Sequence, residues 1–395
     1  MSPLNLAAHL GQDTFLAQVL HRQHLHVTGA IKDPASLISW DDLNNIIAAQ
    51  RLEPPRLRLS VEGEMLPQYR YASPVSTRRH TVYNRLMPSE LHARLREGAS
   101  LVIDAIDEIH PAVGAAAAEL EGWLRTGVQT NLYASWTAKE GFGTHWDDHD
   151  VVVVQIDGAK RWRLFGQTRI APMYKDTEEP EEPPQEPIAE LVLRPGDILY
   201  LPRGTWHAVS ASEGERSLHL TFGIQTMSGA QLLAWLADDL RSEELLRLDL
   251  PVHAPPGDRR TYLEKVQALV SAALDDPSVI TRYVASRNET DLQRLRPSLP
   301  YIDGLPADGL LSVRLTTGRA SMSRQNGSVI FRATDNEWEL AEEAAPLLSY
   351  LIETFPHPVA LYELAGTSHL SVPTVAAFLS ELVDGQALTV VGRDR

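Results

Sequence analysis

Between Pro54 and Ile224 the chain breaks into short runs of β-type residues: LRLSVEG, SLVIDAI, QTNLYASW, VVVVQIDG, KRWRLFG, AELVLRPGD, ILYLPRG and SLHLTFG. Gly, Pro and Asp turn signals separate them. One helix is predicted among them, around Pro111 to Arg125, where Ala and Leu are dense. Many short strands with frequent turns indicate a barrel or a sandwich with helical decoration, a mainly β fold with some α. From Asp13 to about Leu52 apolar residues recur at helical spacing, interrupted by an extended LHVTG stretch, so helices lead into the first strand.

Beyond the strands the texture returns to helix. AQLLAWLADDLRSEELLRL, RTYLEKVQALVSAAL and SVITRYVASR each carry one apolar stripe, with a break at PVHAPPGD. Such stripes need a neighbour, either the barrel or a second copy of the chain. The last hundred residues are read as two strands, LSVRLTT and GSVIFRA, joined by a Gly- and Asn-bearing turn. Helical segments at WELAEEAAPLLSYLIETF, VALYELAG and VPTVAAFLSELVDG follow, then a closing strand LTVV. That order resembles a winged-helix domain. From Tyr301 onward, however, 12 acidic residues face six arginines and no lysine, so docking or support of a dimer is expected rather than DNA binding.

The charge of the whole chain, −16, points the same way, since nucleic-acid phosphates would be repelled and a basic partner attracted. The run DTEEPEEPPQEP, Asp176 to Pro187, holds six acids and too much proline for a regular element. It is read as an exposed loop between two barrel strands, either merely solvated or an acidic lip for a Lys/Arg-rich substrate. No run of about 18 apolar residues suggests a membrane span, and the first 20 residues lack the pattern of a secretory signal, so a cytoplasmic protein is expected.

With no cysteine in the chain, thiolate zinc sites, iron–sulfur clusters and Cys nucleophiles are excluded, and any metal must sit on His, Asp and Glu. The densest set of such residues is GFGTHWDDHDVVVVQIDG, where His145, Asp147, Asp148, His149 and Asp150 precede a run that reads as a buried strand. In an extended segment His145 and Asp147 share a face, with Trp146 on the other. A third ligand is offered by His207 in LRPGDILYLPRGTWHAVS, where turn residues flank ILYL. Two histidines and one carboxylate form a facial triad with open coordination positions; by spacing alone iron, zinc and manganese all fit. His149 and Asp150 are read as solvated or loop-orienting residues.

The run GFGTHWDDHDVVVVQIDGAKRWRLFG, followed by LVLRPGDILYLPRGTWHAV and SLHLTFGIQT, resembles the JmjC-type, cupin-like 2-oxoglutarate oxygenases that hydroxylate ribosomal proteins. The resemblance implies a double-stranded β-helix barrel over residues 1–226, a helical dimerisation region over 227–298 and a winged-helix-like domain over 299–395. It implies Fe(II) held by His145, Asp147 and His207, O2 as oxidant, and Lys160 pairing with the far carboxylate of the co-substrate 2-oxoglutarate. A dianion in a barrel needs a fixed cation, and a lysine supplies one on a long stem. In QTNLYASW the residues Asn131, Tyr133 and Ser135 share a polar face, as do Ser217, His219 and Thr221 in SLHLTFG. Of these, Asn131, Tyr133 and Ser217 are expected to touch the co-substrate, while His219 also reads as an ordinary core histidine. Trp162 and Trp206 read as packing residues.

The substrate implied by the resemblance is an Arg or His side chain of a ribosomal protein, hydroxylated by a homodimer. A natural-product peptide, a free amino acid, or a metal cupin reaction without 2-oxoglutarate are the alternatives, and Lys160 discriminates the last of these.

Overall fold

A computed structural model describes residues 5–177, 181–211, 214–290, 294 and 296–393. The chain divides into two compact units, Met1–Gln225 and Thr226–Arg395.

The first unit opens with α1 (Leu6–Leu10), α2 (Gln12–Gln18), β1 (Leu25–Val27) and α3 (Trp40–Ala49). α3 starts at a capping box in which Ser39 and Asp42 satisfy each other's backbone N–H groups. There follow β2 (Leu57–Val61), β3 (Glu64–Met65), a hairpin of β4 (Ala72–Ser76) and β5 (Val82–Leu86), α4 (Pro88–Arg96) and β6 (Ser100–Ile103). Next come α5 (Ile106–Ile109), α6 (Pro111–Leu124), β7 (Val128–Ser135), β8 (Asp150–Gly158) and β9 (Lys160–Gln167). The unit ends with β10 (Ala189–Leu193), β11 (Ile198–Leu201), β12 (Thr205–Ala211) and β13 (Ser217–Ile224).

Eight strands form one sheet in the order β1-β11-β8-β13-β7-β6-β2-β3, and β10-β9-β12 form a second. The alternation of side chains assigns each face of the large sheet a different layer. Val152, Val154, Ile198, Tyr200, Leu218, Leu220 and Phe222 pack into the core that also holds Phe15, Leu43 and Leu120 of the helices. Val151, Val153, Leu199 and Leu201 point the other way and pack with Trp162, Leu164 and Leu193 of the small sheet. The run VVVV is apolar at every position because both faces of β8 are covered.

Several expectations need correction here. The helix α4 and the β4–β5 hairpin lie in a stretch read without them, only the first four residues of SLVIDAI are strand, and Ile106 opens α5. The acidic run, in contrast, lies as expected in a loop between β9 and β10, exposed over most of 181–187, with Asp176 and Glu181 both paired to Arg169 and a 3-10 turn over Tyr174–Thr177. Glu178, Glu179 and Pro180 lie outside the described residues.

The second unit begins with α7 (Gly229–Asp239), α8 (Glu244–Arg247), α9 (Pro256–Leu274) and α10 (Val279–Thr290). Trp235 of α7 meets Tyr283 of α10 at 5.7 Å, whereas α9 buries no residue at all. Then come β14 (Leu311–Leu315), β15 (Ser321–Gln325), β16 (Ser328–Ala333), β17 (Asn336–Ala341), α11 (Ala345–Thr354), β18 (Val359–Ala360), α12 (Leu361–Ser368), α13 (Val372–Asp384) and β19 (Leu388–Arg393). The turn at Asn326 and Gly327 joins β15 to β16, not LSVRLTT to GSVIFRA, and WELAEEAA begins as strand β17 rather than as helix. Strand β14 pairs instead with β18 and β19 over a core that includes Leu347, Leu361 and Leu379. No helix among the described residues is long and apolar enough to cross a membrane.

Candidate metal centre

His207 sits on β12, two residues after its start, and His145 lies in the segment between β7 and β8. The two residues exchange both backbone hydrogen bonds, His145 N–H to His207 O at 3.0 Å and His207 N–H to His145 O at 2.7 Å. A closely bonded antiparallel pair presents both side chains on one face, and the two imidazoles stand 4.4 Å apart. Asp147 is held by the same ladder, its carbonyl accepting the N–H of Gly204 at 2.9 Å. Gly204 has φ +79°, and a Cβ there would lie 2.9 Å from the Arg169 carbonyl oxygen, so the turn that presents this N–H needs glycine. One atom each from His145, Asp147 and His207 falls within 4.8 Å of the others.

Each histidine is oriented by a bond from its other nitrogen. His207 Nδ1–H donates to the Thr205 carbonyl at 2.8 Å and His145 Nδ1–H to the Gly143 carbonyl at 3.1 Å. These bonds fix the tautomers and turn both Nε2 lone pairs toward Asp147, whose carboxylate lies 3.7 Å from His207 Nε2. Burial and the neighbouring His145 push His207 down to about 4, so it stays an uncharged ligand at neutral pH. Burial works to raise Asp147, but His207, His145 and His149 outweigh it and hold the carboxyl below the usual range. Two neutral nitrogens and one carboxylate oxygen, converging with no thiolate, suit a borderline divalent cation such as Fe(II) and leave other coordination positions open.

The register of β12 on β9 shifts between Trp206 and His207, leaving Phe165 without a partner. Such bulges re-aim a strand beside a site. Trp162 of β9 stacks on the His207 ring at 5.5 Å, and Phe142 meets His145 at 6.0 Å. Asp150, at the first position of β8, ties the ligand segment to the rest of the barrel. Its carboxylate accepts from Arg203 N–H at 2.9 Å, from the Tyr200 hydroxyl and from His21 Nδ1–H at 2.7 Å. Of the two readings of Asp150, the loop-orienting one holds. His149 bonds the neighbouring Asp148 at 2.9 Å.

The three candidate ligands open onto a cavity of about 260 Å³ that is also lined by Lys160, Trp162, Val209, His219, Thr221, Tyr133, Phe142 and Arg58. Lys160 is buried, and its ammonium donates to Ser135 Oγ at 2.7 Å. Burial pulls it down to about 7, and among the described residues no carboxylate compensates the charge. Tyr133 is pushed the opposite way, to about 12, by burial and by Asp147, so its hydroxyl remains a neutral donor.

The expected co-substrate contacts separate here. Tyr133 lines the cavity, whereas Asn131 and Ser217 do not. Asn131 Oδ1 accepts from the Ala105 N–H at 3.0 Å, and its side chain bonds the Tyr133 hydroxyl. Ser217 is fully buried and accepts from Gln155 Nε2 at 2.8 Å. Alternation places a residue on the inward face; its distance from the open space depends on neighbouring strands. Trp162, read as packing, both packs and lines the site. Arg58 went unnoticed in the sequence. It reaches the cavity from β2, gripped at 3.0 Å by both oxygens of Asp104 and lying over Phe142. A lone arginine in an alternating strand gives no local signal, since its approach depends on the order β7-β6-β2.

Residues 116–232 match the JmjC domain family, a span that includes His145, Asp147, Lys160 and His207. The bifunctional lysine-specific demethylase and histidyl-hydroxylase NO66 of Aedes aegypti is 24% identical over 337 residues, covering 72% of this chain and 53% of that protein. Ribosomal oxygenase 1 of Rattus norvegicus is 31% identical over 164 residues, 40% of this chain and 27% of its own length. The match thus spans about half the length of the first of these relatives and about a quarter of the second. Among solved structures, YcfD, a ribosomal oxygenase from Escherichia coli, in complex with cobalt and 2-oxoglutarate, superposes with a TM-score of 0.63 at 19% identity, covering 97% of this chain and 99% of that one. Residues 116–232 are thus similar to the JmjC domain family, and the chain shares its fold with YcfD.

Proposed function

We propose that this chain is an Fe(II)- and 2-oxoglutarate-dependent hydroxylase that acts on an Arg or His side chain of a ribosomal protein. The observation that carries the reading is the convergence of His145, Asp147 and His207 on one wall of a cavity whose buried cation, Lys160, has no carboxylate partner among the described residues. His145, Asp147 and His207 would hold the metal, and Lys160 would pair with the far carboxylate of the co-substrate. Bound iron supplies O2 activation, with 2-oxoglutarate as the reductant that is oxidised and decarboxylated while one oxygen atom enters a C–H bond of the target. The protein's share is positioning. Ser135 steers the Lys160 ammonium, Tyr133 would touch the co-substrate, and Trp162, Phe142 and Arg58 line the same cavity. The relatives, a histidyl-hydroxylase and ribosomal oxygenases, support the substrate class.

The net charge of −16 suits a strongly basic partner. The surface of α9, which buries nothing within its own unit, supports a homodimer formed by the helical region 227–298. The strands and helices of 299–395 support a winged-helix-like domain used for docking rather than DNA binding.

Anaerobic addition of Fe(II) and then 2-oxoglutarate is expected to give a weak visible charge-transfer band, and no band would sink the co-substrate assignment. For the target, mass spectrometry of ribosomal proteins from a strain lacking this gene is expected to miss one oxygen on a single Arg or His. An unchanged profile would move the target to a peptide or a free amino acid. A chain that sediments as a monomer at micromolar concentration would remove the dimer.

A further inference from the structure

The wall of the cavity opposite the helices holds a second basic ring that metal chemistry does not use. His219 lies on the inward face of β13, 4% exposed, and lines the cavity. Its ring is stacked face to face on Tyr133 at 5.0 Å with 5° between planes, and stands edge-on to Trp162 at 6.0 Å. Strand register places His219 opposite Tyr133 and Ser217 opposite Ser135, so His219 is the diagonal neighbour of the serine that holds Lys160. The ring is therefore clamped between two aromatic side chains beside the buried ammonium. Its Nδ1 is buried with no hydrogen-bond partner among the described residues.

An orphaned polar atom in a closed wall costs stability, and a leucine or phenylalanine would fill the same space without that cost. Burial, with Lys160 second, pushes His219 well below its ordinary value, so at neutral pH it carries one N–H donor and no charge to repel Lys160. A carboxylate offers several lone pairs, and Lys160 satisfies only part of them.

We propose that His219 is a co-substrate-binding residue, donating a hydrogen bond to the carboxylate that pairs with Lys160. The inference rests on the 2-oxoglutarate reading above. It assigns the far end of the co-substrate two groups, the ammonium of β9 and an imidazole N–H of β13, with Ser135 of β7 holding the ammonium in place.

The test uses the full-length Co(II)-loaded protein, in which visible absorption reports anions reaching the metal without turnover. Two anions are titrated: 2-oxoglutarate, which spans from metal to Lys160, and oxalate, which occupies the metal end alone. His219→Phe keeps the ring stack on Tyr133 and removes both nitrogens. It is expected to weaken 2-oxoglutarate about 10- to 100-fold, the range for a hydrogen bond to a charged group, and to leave oxalate unchanged. His219→Asn, which restores a donor, is expected to recover part of the loss. Unchanged 2-oxoglutarate affinity in His219→Phe would overturn the proposal, as would an equal loss for both anions, which would mark a packing role. If the Phe variant does not fold, His219→Leu serves the same comparison. Wild-type protein that binds oxalate but not 2-oxoglutarate would overturn the co-substrate reading and this inference together. Wild-type binding with an indifferent His219 variant overturns the inference alone.

Discussion

Strands β7 and β13 carry two faces with opposite duties. Outward, Leu132, Ala134, Leu218, Leu220 and Phe222 are at most 1% exposed and bury themselves against the helices. Inward, Tyr133, His219 and Thr221 line the cavity beside Lys160, which Ser135 holds, and buried nitrogens of His219 and Trp162 have no partner among the described residues. The outward face follows the rules of a core in all but one place, the buried hydroxyl of Thr130, which has no partner among the described residues. The inward one violates them, with a desolvated lysine and unsatisfied polar atoms, which is where function is expected to displace stability. The difference teaches that one strand can hold the fold on one face while its other face stays poised for a ligand, provided the two do not share contacts.

Separation of this kind makes the faces independently breakable. The largest effect is expected at the ligands: Asp147→Ala should weaken metal binding by on the order of 10³-fold, beyond the roughly 10- to 100-fold cost of losing an outer-sphere partner. Metal content after dialysis and the thermal midpoint are the two readouts. The midpoint of the metal-free protein should stay close to wild type, since the Asp147 side chain is a third exposed. A large fall in the metal-free midpoint would show that the ligand segment also holds the barrel together.

The reverse case is Leu220→Ala. Its side chain is fully buried in the helix-facing core, and truncation of such a leucine costs about 2–5 kcal/mol, a drop in midpoint on the order of 10 °C. The folded fraction should bind 2-oxoglutarate with unchanged affinity. Altered affinity would mean the two faces communicate through the strand.

The same contrast explains what the sequence made legible. The continuous apolar run of β8 and the alternation in β7 and β13 are period-two signals, and they assign faces correctly. His145 and Asp147 could be paired because an extended segment puts them on one face, and His207 because turn residues bracket β11. Depth and long-range order were not legible. Asn131 and Ser217 share the inward face, yet Ala105 and Gln155 take them up, and Arg58 arrives across three strands. The hairpin of β4 and β5 is mostly half-buried or exposed and contains Pro74, so it lacks an apolar rhythm. Helix α4 buries only Leu91 and Leu95, too little to show a stripe in nine residues.

Lys160→Met tests the inward face by both of its consequences at once. Removing the charge should weaken 2-oxoglutarate about 100-fold, as expected for a buried partner of a charged group, while raising the midpoint of the ligand-free protein. The second effect has a definite pH dependence. Lys160 falls to about 7 in the folded chain against an ordinary value of 10.5. At pH values between these two, the unfolded chain therefore binds more protons at this position than the folded one, and stability rises with pH across that window. The penalty for burying the ammonium is fully present below pH 7 and fades toward pH 10. The midpoint advantage of Lys160→Met over wild type should accordingly be largest at pH 6 and shrink steadily by pH 9, followed by calorimetry on metal-free protein. A difference that does not change with pH would mean the lysine is compensated in the folded state, and the inward face would then be as well satisfied as the outward one.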